Sequence, residues 1–193
     1  MKKILLSLFA FMIAFSVSAQ RIGFGPKVGL NVAMITDKAF DPRLNFNAGA
    51  FIEYDLTAAW SFEFSAIYSR QGATMKHFPV TLTENRDATM RLDYMNMPLV
   101  AKFYPWMGMN IFLGPQFSYL VNAEVKVKDM DAVSTKCAYK KFDIAAVLGV
   151  GYTWENGILV AAQYNCGLNP IYKDKSMKKV YNGVFQFNVG FRF

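Results

Sequence analysis

The stretch Phe185-Gln186-Phe187-Asn188-Val189-Gly190-Phe191-Arg192-Phe193 alternates without a break between a large apolar side chain and a small or polar one. Successive side chains of a β-strand point to opposite faces, so this is a strand with one greasy face and one polar face. Working back along the chain, the same period of two returns in residues 23–35, 45–55, 60–69, 93–104, 111–122, 141–154 and, more weakly, 158–168. In the first of these Phe24, Pro26, Val28, Leu30, Val32 and Met34 oppose Gly25, Lys27, Gly29, Asn31 and Ala33. In 111–122 the bulky set is Ile111, Leu113, Pro115, Phe117, Tyr119 and Val121, against Gly114, Gln116, Ser118 and Asn122. Most segments approach the roughly 9 to 11 residues that a tilted strand needs to cross a bilayer.

The connections alternate in length. Residues 56–59, 105–110 and 155–157 are short, while 36–44, 72–92, 123–140 and 169–182 are long. Short turns on one side and long loops on the other are the pattern of outer-membrane barrels, and an even strand number puts both termini on the periplasmic side. A soluble eight-stranded barrel has the same period, so the faces decide. The apolar face carries more bulk than the narrow interior of an eight-stranded barrel holds, whereas Gly, Ser, Asn, Gln and a few charges fit inside. The fold expected is all-β: an eight-stranded antiparallel transmembrane β-barrel with short periplasmic turns and long extracellular loops, closed because lipid offers an open edge no hydrogen-bond partner. Tyr54, Trp60, Tyr104, Trp106, Tyr152 and Trp154 fall at the short turns, the place of an aromatic girdle at the periplasmic interface. Tyr68, Tyr119 and Tyr164 lie toward the opposite rim.

Residues 1–19 read as a cleaved secretory signal: Lys2 and Lys3, an apolar run from Ile4 to Phe15, then Val17 and Ala19 for a peptidase cutting after Ala19. The run is short for a helical span. Residues 20–193 then form one barrel domain. The net charge of +7, or +5 without Lys2 and Lys3, does not point to nucleic acid in an exported chain.

The segment Gly25-Pro26-Lys27-Val28-Gly29-Leu30-Asn31, the segment Tyr94-Met95-Asn96-Met97-Pro98-Leu99-Val100-Ala101-Lys102-Phe103 and the Phe-rich closing strand resemble the PorT-like outer-membrane β-barrel family of Bacteroidetes. Ser18-Ala19-Gln20 is similar to signal endings of that phylum. The resemblance implies an outer-membrane location and carries over no functional residue. It also implies that Phe185, Phe187, Phe191 and Phe193 form the signal read by the barrel-insertion machinery.

Inward charges by this phasing are Lys27, Glu53, Glu63, Lys102, Asp143 and Arg192, three of each sign. Buried charges persist when paired, so these are expected to neutralise one another as a plug that fills the lumen. In the third and fourth long loops Lys126, Lys128, Lys140, Lys141, Lys173, Lys175, Lys178 and Lys179 are candidate contacts for phosphates of lipopolysaccharide. Cys137 and Cys166 permit a disulfide in an oxidising compartment, though a hairpin at Asn156-Gly157 sets Cys166 roughly opposite Val147, well below Cys137. The lone His77 falls in the second long loop, leaving the histidine-serine-carboxylate chemistry of lipid A hydrolases without an evident base. No metal spacing, glycine-rich phosphate loop or nucleophile elbow occurs, and neither cofactor nor metal is expected. The expected role is non-enzymatic, structural or accessory to secretion, exercised through extracellular loops or envelope partners. The alternatives are a barrel that binds a surface ligand or small solute and, third, a lipid A-modifying enzyme. Deleting Phe193 is expected to lower the amount of folded barrel recovered from outer membranes, scored by heat-modifiable gel migration.

Overall fold

The computed structural model describes residues 22–35, 40–79, 85–127, 133–134, 140–169 and 182–193, with backbone alone at 33–35, 40–43, 73–79, 85–88, 90, 125–127, 133–134 and 182. The strands are β1 (Ile22–Ile35), β2 (Phe40–Asp55), β3 (Trp60–Pro79), β4 (Asn85–Phe103), β5 (Met109–Val127), the two-residue β6 (Val133–Ser134), β7 (Phe142–Thr153), β8 (Ile158–Gly167) and β9 (Asn182–Phe191). All pairings are antiparallel, and the ring β1-β2-β3-β4-β5-β7-β8-β9 closes where β9 meets β1, from Lys27↔Gly190 to Ile35↔Asn182. This is the eight-stranded barrel expected. The short β6 lies on the part of β5 that extends past β7, pairing Glu124 with Ser134.

Three short turns hold one rim. Thr57 Oγ1 accepts the backbone N–H groups of Ala59 and Trp60 in the first. Gly108 and Gly157 take φ of 82° and 88° in the others, a left-handed backbone that glycine adopts without Cβ strain. Asn156 Oδ1 accepts the N–H of Ile158 at 3.1 Å, pinning the start of β8.

Exposure along the strands is inverted relative to a water-soluble domain. Val28, Leu30, Phe62, Phe64, Leu99, Leu113, Leu148 and Phe187 are exposed, while Asn31, Asn47, Glu53, Ser65, Asn96, Gln116 and Asn188 are buried. Only a hydrocarbon surround makes that arrangement favourable, because each exposed apolar side chain would otherwise stand in water. Phe185, Phe187, Phe191 and Phe193 all lie on this outer face, and Phe193 closes the seam by donating its N–H to the Phe24 carbonyl.

Four readings of the sequence need correction. First, β3 reaches Pro79 and β4 starts at Asn85, so much of the expected second long loop is strand, and the backbone of His77 lies in β3. Apolar alternation ends where lipid ends, whereas the hydrogen-bonded ladder continues beyond it. Second, a bulge displaces the register between Asp93↔Asn122 and Tyr94↔Leu120, leaving Val121 extra. Leu120 and Ala123 are therefore both fully buried, and Asn122 is shifted off the inner row. Third, the interior is not purely polar: Phe51, Ile67, Tyr94, Val100, Phe112, Val147, Leu159 and Val184 are buried. Glycine makes room for them, since a Cβ on Gly149 would sit 2.4 Å from the Phe112 ring. Fourth, Cys166 stands opposite Ala146, one position from expectation, exposed on the outer face and without a disulfide partner among the described residues; Cys137 lies outside the described residues.

Leu99 is 46% exposed and pairs with Phe64, four residues above Trp60 on the outer face. Leu99→Arg should cost about 2–4 kcal/mol of folding free energy in lipid vesicles, as expected for a cation near the bilayer midplane. Ser118→Ala, which removes the acceptor of a buried 3.1 Å bond from Gln116, should cost about 1 kcal/mol. Equal costs for the two would contradict the inside-outside assignment.

Candidate functional site

Toward the short-turn rim the interior is crossed by a connected ion cluster. Lys27 Nζ lies 2.5 Å from Glu63 Oε1, and Lys102 Nζ lies 2.6 Å from both Glu63 Oε2 and Glu53 Oε2. Arg192 Nη1 is 3.6 Å from Glu53 Oε1, and its Nη2 binds Asp55. Ser65 Oγ donates to Glu63 at 2.7 Å and Ser61 Oγ to Glu53 at 2.9 Å. Lys27, Lys102, Glu53 and Glu63 are each at most 5% exposed. The Phe51 ring lies under both amines, 4.7 Å from Lys27 Nζ and 5.9 Å from Lys102 Nζ. Taking any one of these ions out of water costs several kcal/mol, and the cluster holds as a chain in which Glu63, Lys102, Glu53 and Arg192 each face two opposite charges and Lys27 and Asp55, at its ends, face one.

Five of the six expected inward charges meet here; Asp143 does not. It sits toward the other rim, accepting the N–H of Ile144, in a small polar recess with Gln71, Gln116, Ser118 and Asn165. Asp55 takes its place as third acid, which keeps the cluster at three cations and three anions. The signal for Asp55 was available, since it shares the parity of Glu53 along β2.

Tyr104 is a second correction. Expected in the aromatic girdle, it turns inward with the parity of Lys102 and donates its hydroxyl to Glu53 at 2.6 Å. It lies just past the end of β4, and burial pushes its phenol up to about 12, so it remains a donor at neutral pH. Trp60, Trp106, Tyr54, Tyr152 and Trp154 do stand exposed at the short-turn rim, with Trp60 against Phe103 at 4.9 Å and Tyr152 against Trp154 at 4.8 Å between ring centroids.

Above the ions lies a layer of neutral amides and hydroxyls. Asn47 donates to Asn31, Asn31 donates to Ser69 at 2.8 Å, and Gln163 donates to Gln186 at 2.9 Å and Asn165 at 3.0 Å. Among the described residues no group of acidic, histidine or cysteine side chains is arranged to hold a metal. The cavity beside Lys27, Glu63 and Lys102, and the recess at Asp143, each measure about 10 Å³. That is space for one water and for no larger solute. Of the candidate loop lysines, Lys141 is exposed and Lys140 half-buried; the side chain of Lys126, and Lys128, Lys173, Lys175, Lys178 and Lys179 entirely, lie outside the described residues.

The family described as outer membrane protein beta-barrel domain matches residues 15–173. Among solved structures, the chain is similar to Ail, the attachment invasion locus protein of Yersinia pestis, at 12% identity and a TM-score of 0.52, covering 90% of this chain and 100% of that one. Ail in complex with the heparin analogue sucrose octasulfate gives a TM-score of 0.53 over the same coverage. Neisserial surface protein A gives 14% identity and a TM-score of 0.54, covering 89% of this chain and 97% of that one. At these identities the likeness is one of fold. No curated protein matches the sequence.

Glu63→Leu strands Lys27 and weakens the hold on Lys102, and should lower unfolding free energy by about 3–5 kcal/mol in urea titrations of the refolded barrel. Adding Lys27→Met should recover most of the loss. Additive costs in the double variant would mean that the two side chains are not coupled.

Proposed function

Because the chain belongs to the outer membrane protein beta-barrel domain family, we propose that it is a closed, non-conducting and non-enzymatic barrel of the PorT-like kind, serving as a structural or secretion-associated component of the envelope. The observation that carries this reading is the blocked interior. A solute path would have to displace Lys27, Glu63, Lys102 and Glu53, four buried charges held by one another. With the inside filled, the surfaces available for work are the outer wall, the rims and the loops, and the partners are envelope proteins and lipids.

Among the described residues the first strand starts and the last strand ends at the short-turn rim, and in barrels of this class that rim faces the periplasm. The exposed aromatics of β9 suit recognition by the insertion machinery. A non-enzymatic role is supported by the placement of His77, which lies seven residues beyond Arg70 on β3, past the apolar part of the wall.

A second reading, capture of an anionic surface ligand, draws on the lysines of the third and fourth long connections and on the crystallised complex of Ail with a sulfated sugar. It requires binding that weakens as salt rises.

The refolded chain in planar bilayers is expected to give no steady large conductance. Stable, open channels from the purified protein would overturn the closed-barrel reading.

A further inference from the structure

We propose that the outer wall of the barrel carries a site for the phosphate of a membrane-lipid headgroup, built on Arg70 and Arg91 at the rim of the long loops; it extends the functional reading above and does not depend on it. The argument starts from height. Trp60 and Phe103 pair at the short-turn end of β3 and β4, and Arg70 pairs with Asp93 ten residues further along. Ten residues at about 3.3 Å each, tilted by about 35–45°, climb roughly 25 Å, the height of the apolar band of an outer-membrane barrel. Arg70 and Asp93 therefore stand where hydrocarbon gives way to headgroups.

The outer face changes character at that level. Phe64, Ala66, Tyr68, Leu99, Met97 and Met95 are followed by Arg70 on β3 and by Asp93 and Arg91 on β4. Arg91 immediately precedes the inward Leu92 on β4, which places it on the outer face. Arg70 and Arg91 are diagonal cross-strand neighbours, since Arg70 pairs with Asp93 and Arg91 with Gly72. Such diagonals lie about 7–8 Å apart, a spacing from which two guanidinium groups reach around one phosphate.

The ion pair here is lopsided. Arg70 Nε donates to Asp93 Oδ1 at 2.8 Å, yet the aspartate side chain is 9% exposed and the arginine side chain 34%. The pair thus buries its acid and presents its cation. Arg70 is further held by Tyr68, whose hydroxyl is 3.5 Å from Nη2, and by the face of Phe46, 5.4 Å from its guanidinium carbon. These contacts use two of its five donors. Arg91 Nε is buried and, among the described residues, has no hydrogen-bond partner. The acids near the site are Asp93, already engaged, and Glu124, which pairs across from Arg91 and accepts a hydrogen bond from Asn122 at 2.8 Å. A headgroup phosphate is the anion that occurs at this depth, and a bidentate guanidinium is its usual partner.

The test is native mass spectrometry of the full chain in detergent micelles, titrated with phosphatidic acid, with diacylglycerol, and with inorganic phosphate as competitor. Phosphatidic acid is expected to be retained at least tenfold better than diacylglycerol, and millimolar inorganic phosphate should not displace it. Arg91→Gln and the double variant Arg70→Gln with Asp93→Asn, which leaves no orphan carboxylate, should each lose about tenfold while keeping heat-modifiable migration. Asp93→Asn alone frees the guanidinium and should bind at least as well as the unaltered chain. Glu155→Gln, exposed in the turn before β8 at the opposite rim, should change nothing. Equal retention of the two lipids, unchanged binding in the arginine variants, or loss on Asp93→Asn would overturn the proposal. Displacement by inorganic phosphate would overturn the lipid as its source. Should an arginine variant fail to fold, the Asp93→Asn result and the lipid comparison still decide.

Discussion

Every backbone N–H and C=O that enters hydrocarbon must find its partner within the protein, because lipid tails supply none. For strands this means closure, and closure here is the pairing of β9 with β1. The remaining features follow from that seam. An even ring of antiparallel strands brings both ends of the barrel to the rim of the short turns. Period-two alternation then becomes a division between lipid and lumen, so a wall that would aggregate in water is the stable surface of this molecule.

Closing eight strands leaves an interior about as wide as its own side chains. This barrel fills the space in two tiers. Near the short turns, three cations and three acids share partners around Phe51; above them, amides and hydroxyls bond across the bore. The lower tier costs desolvation and offsets it through a chain of shared ion pairs running from Lys27 to Asp55. The buried aromatics and aliphatics pack in the gaps, and inward glycines such as Gly149 let Phe112 lie against the opposite backbone. With the bore so filled, the proposed role is assigned to the outer surface. The half-buried cation of the Arg70–Asp93 pair is where the proposed headgroup site lies on that surface.

Much of this was legible residue by residue. The strand from Phe185 to Phe193 and its seven companions announced themselves by period, and the short turns by length. Lys27, Glu53, Glu63, Lys102 and Arg192 were identifiable as inward from parity alone. Asp55 and Tyr104 share the same parity, but the first ends a strand and the second, an aromatic beside a turn, reads as girdle. His77 read as loop because water above the membrane imposes no apolar pattern on a strand. Asn122 leaves the inner row because a bulge reverses parity, and a bulge makes no mark in composition.

By itself, then, the order of residues determined the number of ring strands, which side chains share a face, and that the greasy face meets lipid. These are local consequences of a two-residue period and of the bulk each face carries. Only the closed tertiary structure decided which inward charges touch, that Asp55 and not Asp143 completes the cluster, and that Arg70 and Arg91 stand diagonally across β3 and β4. Those outcomes depend on register across strands and on one bulge, quantities set by how the sheet wraps and closes.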